Sequence, residues 1–590
     1  MLTTFTAPAF AKTWYIEDGD ITISASETKG TNKVSQGAEP EVEDTGTIIT
    51  NREKDASSHT VTINAGNDKV EVTLDNVNIK ADSGSALISK GDVTLTLKGD
   101  NHLTGGNGGS SSYGGDGITS SGSLTISGGT VTATGGDSTS SVGSGGSGIS
   151  SNGSLTITGG ENDSLTAKGG SGRSGIFSSG GVTISGGTVN ATGGSSGSDS
   201  GDGIHSGSLT MKGGTVNATG GSGADGGSGI RTFSSGGVTI SGGSTVNANG
   251  GNGSKSESSD RSNGGRGIDS GSLTVSGGTV TATGGDGCSG SYSDGGIGIS
   301  SSSGGVTISG GTVTATGGKS GSGDYSNGGN GISSSGSLSI SGGTVTATAG
   351  SSSGSYGRDG ITTSSSLTIS GGTVTANGGS GSYRGGSGIS SSDIELSGSL
   401  ELTAKAGSPN GKALSQNGIE LDPNTFKEKL DPGANIITKD ADGKVIDQVS
   451  SPRPVEPEGP VIPEESSSSS DSGSSTPSAD GGSATPSAPA SPLPGLTVTD
   501  KDGQRISYTS IRGNNVLSLR VGRFTASLHA SLSTLRQLRA EGIDTITFQT
   551  ILCSTTLSVD ELLAMGGEDT EVVLTHHIRS STLTVGGKAV

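Results

Sequence analysis

Cysteine is nearly missing from this sequence: 590 residues carry two, Cys288 and Cys553, far apart along the chain. That excludes a disulfide framework, and both are read as unpaired. Hydrophobic residues make up 27% and aromatic residues 3%, where a globular domain holds ~45–50% apolar residues. One large conventional core is therefore excluded. No apolar run reaches the ~18 residues of a spanning helix, so membrane insertion is not expected. Positive charge is scarce as well: 35 Lys and Arg stand against 55 Asp and Glu, a net charge of −20. This sign argues against nucleic acid and anionic membranes as partners and suits a soluble extracellular protein. Without a period, such a composition would read as disorder.

What the chain has instead is glycine, 114 residues of it, and a repeated phrase. The phrase is cleanest at 122–136: Gly-Ser-Leu-Thr-Ile-Ser-Gly-Gly-Thr-Val-Thr-Ala-Thr-Gly-Gly. Its first apolar anchor returns at Leu124, Leu155, Val182, Leu209, Val238, Leu273, Val306, Leu338 and Leu367, at spacings of 27 to 35 residues. A period in that range signals a solenoid. Leu124-Thr-Ile126 and Thr130-Val-Thr-Ala-Thr134 alternate apolar with polar, the pattern of strands with one buried face. Gly128-Gly129 separates them as a tight bend. A third short strand precedes them at Ile118. Three strands and three bends make one coil of a parallel β-helix. The predicted fold is all-β, about eleven coils of β-solenoid, followed by a small C-terminal α+β domain.

The N-terminus ends its first eleven residues on Ala9-Phe10-Ala11, a small-x-small pattern that reads as the remnant of a signal peptide. Residues 12–59 hold Trp14, Tyr15, Ile16, Ile21 and Ile23 and read as a cap. The β-helix is placed at 60–406, with a second cap at 407–450 to cover the open edge. Residues 451–495 are rich in Pro, Ser and Glu and read as a disordered linker. From 496 to 590, strand patterns alternate with helical pieces. Leu528, Leu532, Leu535 and Leu538 are expected on one helical face, and Ser558-Val-Asp-Glu561 is a capping box. His576 and His577 are adjacent on a predicted strand, so their rings should point to opposite faces.

The segments Val-Thr-Leu-Asp-Asn-Val-Asn-Ile at 72–79 and Val-Thr-Leu-Thr-Leu-Lys-Gly-Asp-Asn-His-Leu-Thr-Gly-Gly at 93–106, with the glycine-rich coils after them, resemble a known family. They are similar to the carbohydrate-binding, pectate-lyase-like β-helix proteins of clostridia and related gut Firmicutes. The resemblance covers about residues 60–405. It implies a secreted or surface-held right-handed β-helix of a Gram-positive bacterium that binds plant cell-wall polysaccharide and can hold Ca²⁺. It assigns no ligand residues, because the variable inserts align to no fixed motif.

Two features interrupt the scaffold. Of the seven tyrosines, Tyr113, Tyr292, Tyr325, Tyr356 and Tyr383 fall a few residues before a Gly-Ile, in inserts that leave the helix at one corner. A flat apolar face with a hydroxyl suits sugar rings. The same inserts carry aspartates, of which Asp116, Asp202, Asp294, Asp324 and Asp359 are the candidate ligands for Ca²⁺, the one cofactor considered. The second feature is a column. The outward residue after each of these Ile positions is a small hydroxyl in most coils, but in four consecutive coils it is Phe177, His205, Arg231 and Asp269, with Asp202 and Arg266 nearby. Tolerated variation, ligand binding and catalysis all remain open for this column. Taken together, the sequence reads as a monomeric, secreted, non-catalytic polysaccharide-binding protein. A structural or adhesive surface stalk is the alternative, and a lyase or hydrolase the third reading.

Overall fold

The computed structural model describes residues 11–109, 112–138, 144–255, 261–451 and 495–589, the last stretch without 502, 507, 513–514, 522, 524, 551–552, 568–569 and 578–580. Most of the leader remnant and the linker thus lie outside the described residues. The chain divides into two compact units, Met1–Gly459 and Pro460–Val590.

The first unit is a parallel β-solenoid. The first clean repeat forms the three strands read from its alternation, Ile118–Ser120, Leu124–Ser127 and Thr130–Thr134; in later repeats the first two run together, as in Ile176–Ile184, or all three do, as in Ile361–Asn377. Each pairs in parallel, in register, with its counterpart in the next repeat. The column of first-strand residues runs Ile21, Val61, Leu87, Ile118, Ile149, Ile176, Ile204, Ile230, Ile268, Ile299, Ile332, Ile361, Ile389 and Leu414, which makes fourteen rungs. At ~4.8 Å per rung this stack is about 60 Å long. The expected count of about eleven is short: residues 60–406 hold twelve rungs, from Val61 to Ile389, and each cap segment adds one, at Ile21 and Leu414. Ile21–Ala25 pairs in parallel with the strand beginning at Val61, and Asn435–Lys439 continues the third-strand column above Glu401–Lys405. Neither segment contains the glycine phrase, so the period does not reveal them.

The core is one continuous stack of Ile, Leu, Val and Ala side chains, buried throughout. Each fully buried Ile, Leu or Val contributes roughly 1.5–3 kcal/mol, so a rung gains a few such contributions and stability accumulates by stacking. From the third rung to the thirteenth, one inward position of the first strand is a hydroxyl instead, from Ser89 to Ser391. Ser120, Ser178 and Ser334 are buried and donate to the carbonyls of Gly122, Gly153 and Gly336, each at 3.0 Å. Each of these bend carbonyls accepts a second hydroxyl as well: Ser151 at 3.5 Å on Gly122 and at 3.2 Å on Gly153, and Thr363 at 2.6 Å on Gly336.

Both ends of the stack are closed by antiparallel strands. At the start, Asn32–Gln36 folds back on Ile21–Ala25 and pairs with Val42–Asp44. The buried Asp44 carboxylate accepts the Trp14 indole N–H at 2.8 Å. At the far end, Val445–Ser450 covers Asn435–Lys439. These strands occupy hydrogen-bonding edges that would otherwise template aggregation.

Among its described residues, the second unit combines a five-stranded and a four-stranded sheet with two helices, Leu532–Ala540 and Val559–Leu563. Leu532, Leu535 and Leu538 form the buried helical face, but Leu528 lies on the strand Ala526–Ser531, so the helix starts later than its leucine spacing suggests. Ser531 caps it by accepting from the Thr534 amide. The second helix begins as read: Ser558 accepts from the Glu561 amide at 3.4 Å. His576 is buried against the Phe548 ring and between the hydroxyls of Thr550 and Thr555. Burial holds its imidazole below the usual value. His577 is exposed.

Candidate functional site

The strand-face column stacks as its spacing requires. Phe177, His205, Arg231 and Asp269 are register partners on the sixth to ninth rungs. Their neighbours in the column are Ser150 below and Ser300 above. Phe177 meets His205 edge-on at 5.6 Å between ring centroids. A third ring, Phe233, closes on His205 at 4.9 Å and on Phe177 at 6.5 Å. Sequence reasoning missed Phe233 because it sits in the turn after Ile230–Thr232, outside any alternation. One signal was available: three residues after the rung isoleucine, the other coils from 118 to 391 carry only Ser, Gly or Asn.

The charged half of this patch has a fixed order in depth. The Asp202 and Asp269 side chains are 4% and 16% exposed, while those of Arg231 and Arg266 are 41% and 42% exposed. Asp202 accepts the Ser228 amide with one oxygen, at 2.7 Å. Its other oxygen faces His205 Nδ1 at 3.2 Å and Arg231 Nη1 at 3.5 Å. Asp269 accepts from Arg266 Nη1 at 2.6 Å and faces Arg231 Nε at 3.5 Å. Arg231 is thus held loosely between two carboxylates, beyond the ~2.7–2.9 Å of a tight charge-assisted bond. The guanidinium groups lie outermost and their counter-ions lie beneath.

The tyrosine inserts form the second surface. Tyr292, Tyr325, Tyr356 and Tyr383 occupy the inserts of the tenth to thirteenth rungs, which follow directly on the patch. They pair in twos. Tyr292 and Tyr325 are stacked at 5.3 Å and 14° between planes. Tyr356 and Tyr383 meet at 5.5 Å and 76°. In the perpendicular pair one ring meets the other by its edge, which leaves flat faces available. All four are exposed, by 45% to 73%. The inserts that carry them are ordered by stacking: the Tyr325 amide donates to Ser291 and the Tyr383 amide to Ser355. Tyr113 is also exposed but belongs to the fourth rung, well removed from these four.

The five candidate metal ligands are not brought together. Asp116, Asp202, Asp294 and Asp359 share a different task. Each accepts a backbone amide from the next rung: those of Ser147, Ser228, Asn327 and Ser387, at 2.6 to 2.7 Å. Asp324 is exposed, in a separate insert. Among the described residues no group of three or more His, Cys, Asp or Glu is placed to hold a metal ion. The amide-capping role makes a prediction. Asp359 is partly buried, and burial raises its carboxyl above the usual range although the Ser387 amide opposes this. A raised folded-state value favours the protonated group, so the charge costs stability once pH exceeds the carboxylate range. Asn330, one rung below, does the same job with a neutral amide oxygen, accepting the Asp359 amide at 2.9 Å. Asp359→Asn is therefore expected to raise the melting temperature near pH ~7, with the gain disappearing near pH ~3. Asp359→Ala should cost about 1–3 kcal/mol by orphaning the Ser387 amide. Thermal melts of both variants across pH decide this, and a loss in the Asn variant equal to that in the Ala variant would refute it.

Six segments match the family described as Beta helix repeat: residues 124–153, 182–208, 209–230, 273–298, 338–358 and 367–393. These stretches are beta helix repeats. No curated protein and no solved structure matches the chain. The beta helix repeats at 273–298, 338–358 and 367–393 carry Tyr292, Tyr356 and Tyr383, and the one at 182–208 carries Asp202 and His205. Phe177, Arg231, Asp269 and Tyr325 lie outside the matched stretches, on rungs of the same solenoid.

Proposed function

We propose that the solenoid binds polysaccharide without chemical turnover, as a secreted or surface-held protein, with plant cell-wall glycan of the cellulose or pectin type as the ligand class. The observation that carries this reading is the run of four exposed tyrosines on four successive rungs. Exposed tyrosines are costly on a soluble surface unless covered, and a row of them at rung spacing matches a linear chain of flat, amphipathic rings. The carboxylates of the neighbouring patch argue for binding over hydrolysis. A glycosidase needs two carboxyl groups free to act as acid and base or nucleophile, and here Asp202 and Asp269 are both engaged with guanidinium groups.

The test is retention of the full chain on insoluble cellulose and pectin, with Ca²⁺ and with chelator. Retention is expected, and replacing Tyr325 and Tyr356 together by alanine should weaken it by about ten-fold, equivalent to ~1.4 kcal/mol. If no glycan retains the protein, with or without Ca²⁺, the stalk reading takes its place. Release of reducing or unsaturated sugars would replace the non-catalytic reading.

A further inference from the structure

We infer that the strand-face patch on the sixth to ninth rungs is a second subsite, one that takes a sugar ring bearing a carboxylate. This rests on the polysaccharide reading above and adds the charge of the ligand to it. The physical argument starts from depth. Over a chain of net charge −20, this patch turns two arginines outward and keeps their two aspartates underneath. What an approaching ligand meets first is cationic. The aspartates hold the arginines in place and lower the cost of placing them together.

Arg231 has spare capacity. Its contacts are two carboxylate oxygens at 3.5 Å and the Ser228 hydroxyl at 3.4 Å. A guanidinium carries five N–H donors in a planar fork. Loose contacts at those distances leave donors that an incoming carboxylate can engage in the tight, bidentate manner the fork favours. Beside it, His205 and the exposed edge of Phe233 form an aromatic ledge with Phe177. A pyranose ring has an apolar C–H face to set on such a ledge and a substituent to direct at Arg231. An apolar ligand would waste the arginines, and a small inorganic anion would waste the rings. A ring with one carboxylate uses both.

Position adds a consequence. The patch ends at the ninth rung and the tyrosines begin in the inserts of the tenth. The acidic subsite would fix one point of a chain whose further rings pass to the tyrosine row.

The test uses the full chain and two soluble probes, an oligogalacturonate and its methyl ester, in which each carboxylate is replaced by a neutral ester. Affinity for each is measured by calorimetry at low and high salt. The wild type should prefer the acid form by about ten-fold, and salt should erode that preference. Arg231→Gln should reduce the preference to within about two-fold while leaving binding of the ester in place. Phe233→Ala, at an exposed turn position, should weaken both probes. It keeps the test open if Arg231→Gln does not fold, which its melting curve will show. An undiminished preference in Arg231→Gln, or no loss in Phe233→Ala, overturns the subsite. A wild type that binds the ester as tightly as the acid overturns its charge selectivity, while polysaccharide binding still stands. A wild type that binds neither probe and is retained on no insoluble glycan removes the polysaccharide reading itself. An arginine that serves only the ion-pair ladder would change melting temperature and leave the acid-to-ester ratio untouched.

Discussion

Replacing Gly285 by alanine is expected to destabilise the solenoid by about 3 kcal/mol or more, the upper range for forcing atoms into a packed interior. Gly285 belongs to the second glycine pair of its repeat and needs no left-handed backbone. What it needs is space. A Cβ there would lie 2.0 Å from the Gly251 carbonyl oxygen and 2.6 Å from its carbon. Those are backbone atoms one rung below, which no rotamer change can move. The contact recurs up the column: a Cβ at Gly318 would stand 1.9 Å from the Gly285 oxygen, and one at Gly251 would stand 1.9 Å from that of Gly221. Successive inserts thus stack backbone on backbone, held by bonds such as Gly285 N–H to the Gly265 carbonyl at 2.8 Å. An alanine must push two rungs apart or bend its insert out, and either movement breaks ladder bonds on both sides. Gly243 is the matched control. It has nothing within 4 Å of its virtual Cβ, so alanine there should change stability by no more than ~0.5 kcal/mol, or raise it by reducing the entropy of the unfolded chain. Denaturant melts of the two variants compare them directly. Equal midpoints would mean that the glycine column is compositional and does not bear the stacking.

That distinction was only half legible in the sequence. Alternation in Leu124-Thr-Ile126 and Thr130–Thr134 is a local signal, and it placed all three strands of the repeat correctly. The pair Gly128-Gly129 is likewise legible as a bend, and its φ values are +72° and +52°. The second pair in each repeat has a different cause, contact with the rung below, and contact between rungs is not written in any one repeat. The same limit explains the aspartates. Asp116, Asp202 and Asp359 look like spare hard ligands until the register shows each capping the amide of the equivalent residue one rung on. Their position, always two before the rung isoleucine, was visible in the sequence. Its meaning was not, because it depends on which backbone lies next to it. The patch was legible as a column because strands carry register with them: Phe177, His205, Arg231 and Asp269 follow from the isoleucines beside them. Phe233 and the depth order of the charges depend on turn geometry and on side-chain reach, which alternation does not encode.

The largest core effect should come from an interior rung. Ile332 is fully buried and stands in register between Ile299 and Ile361. Truncating it to alanine removes transferred surface and leaves a cavity that neighbouring rungs, fixed by their own ladders, cannot close. The expected cost is about 2–5 kcal/mol, and Ile332→Val should cost only ~0.5–1.5 kcal/mol. Leu414 makes the comparison informative. It is also fully buried, but it pairs in parallel only with Ile389 below, and its other side meets an antiparallel hairpin strand. In a stack whose stability is the sum of rung and interface contributions, Leu414→Ala weakens one rung interface and Ile332→Ala weakens two. Hydrogen exchange separates the outcomes. Ile332→Ala should lower protection on the tenth to twelfth rungs, inside the stack, where opening also exposes the tyrosine inserts. Leu414→Ala should increase exchange only at the end. If both variants spread their loss evenly along all fourteen rungs, the solenoid unfolds as one unit, and the nearest-neighbour account of its stability is wrong.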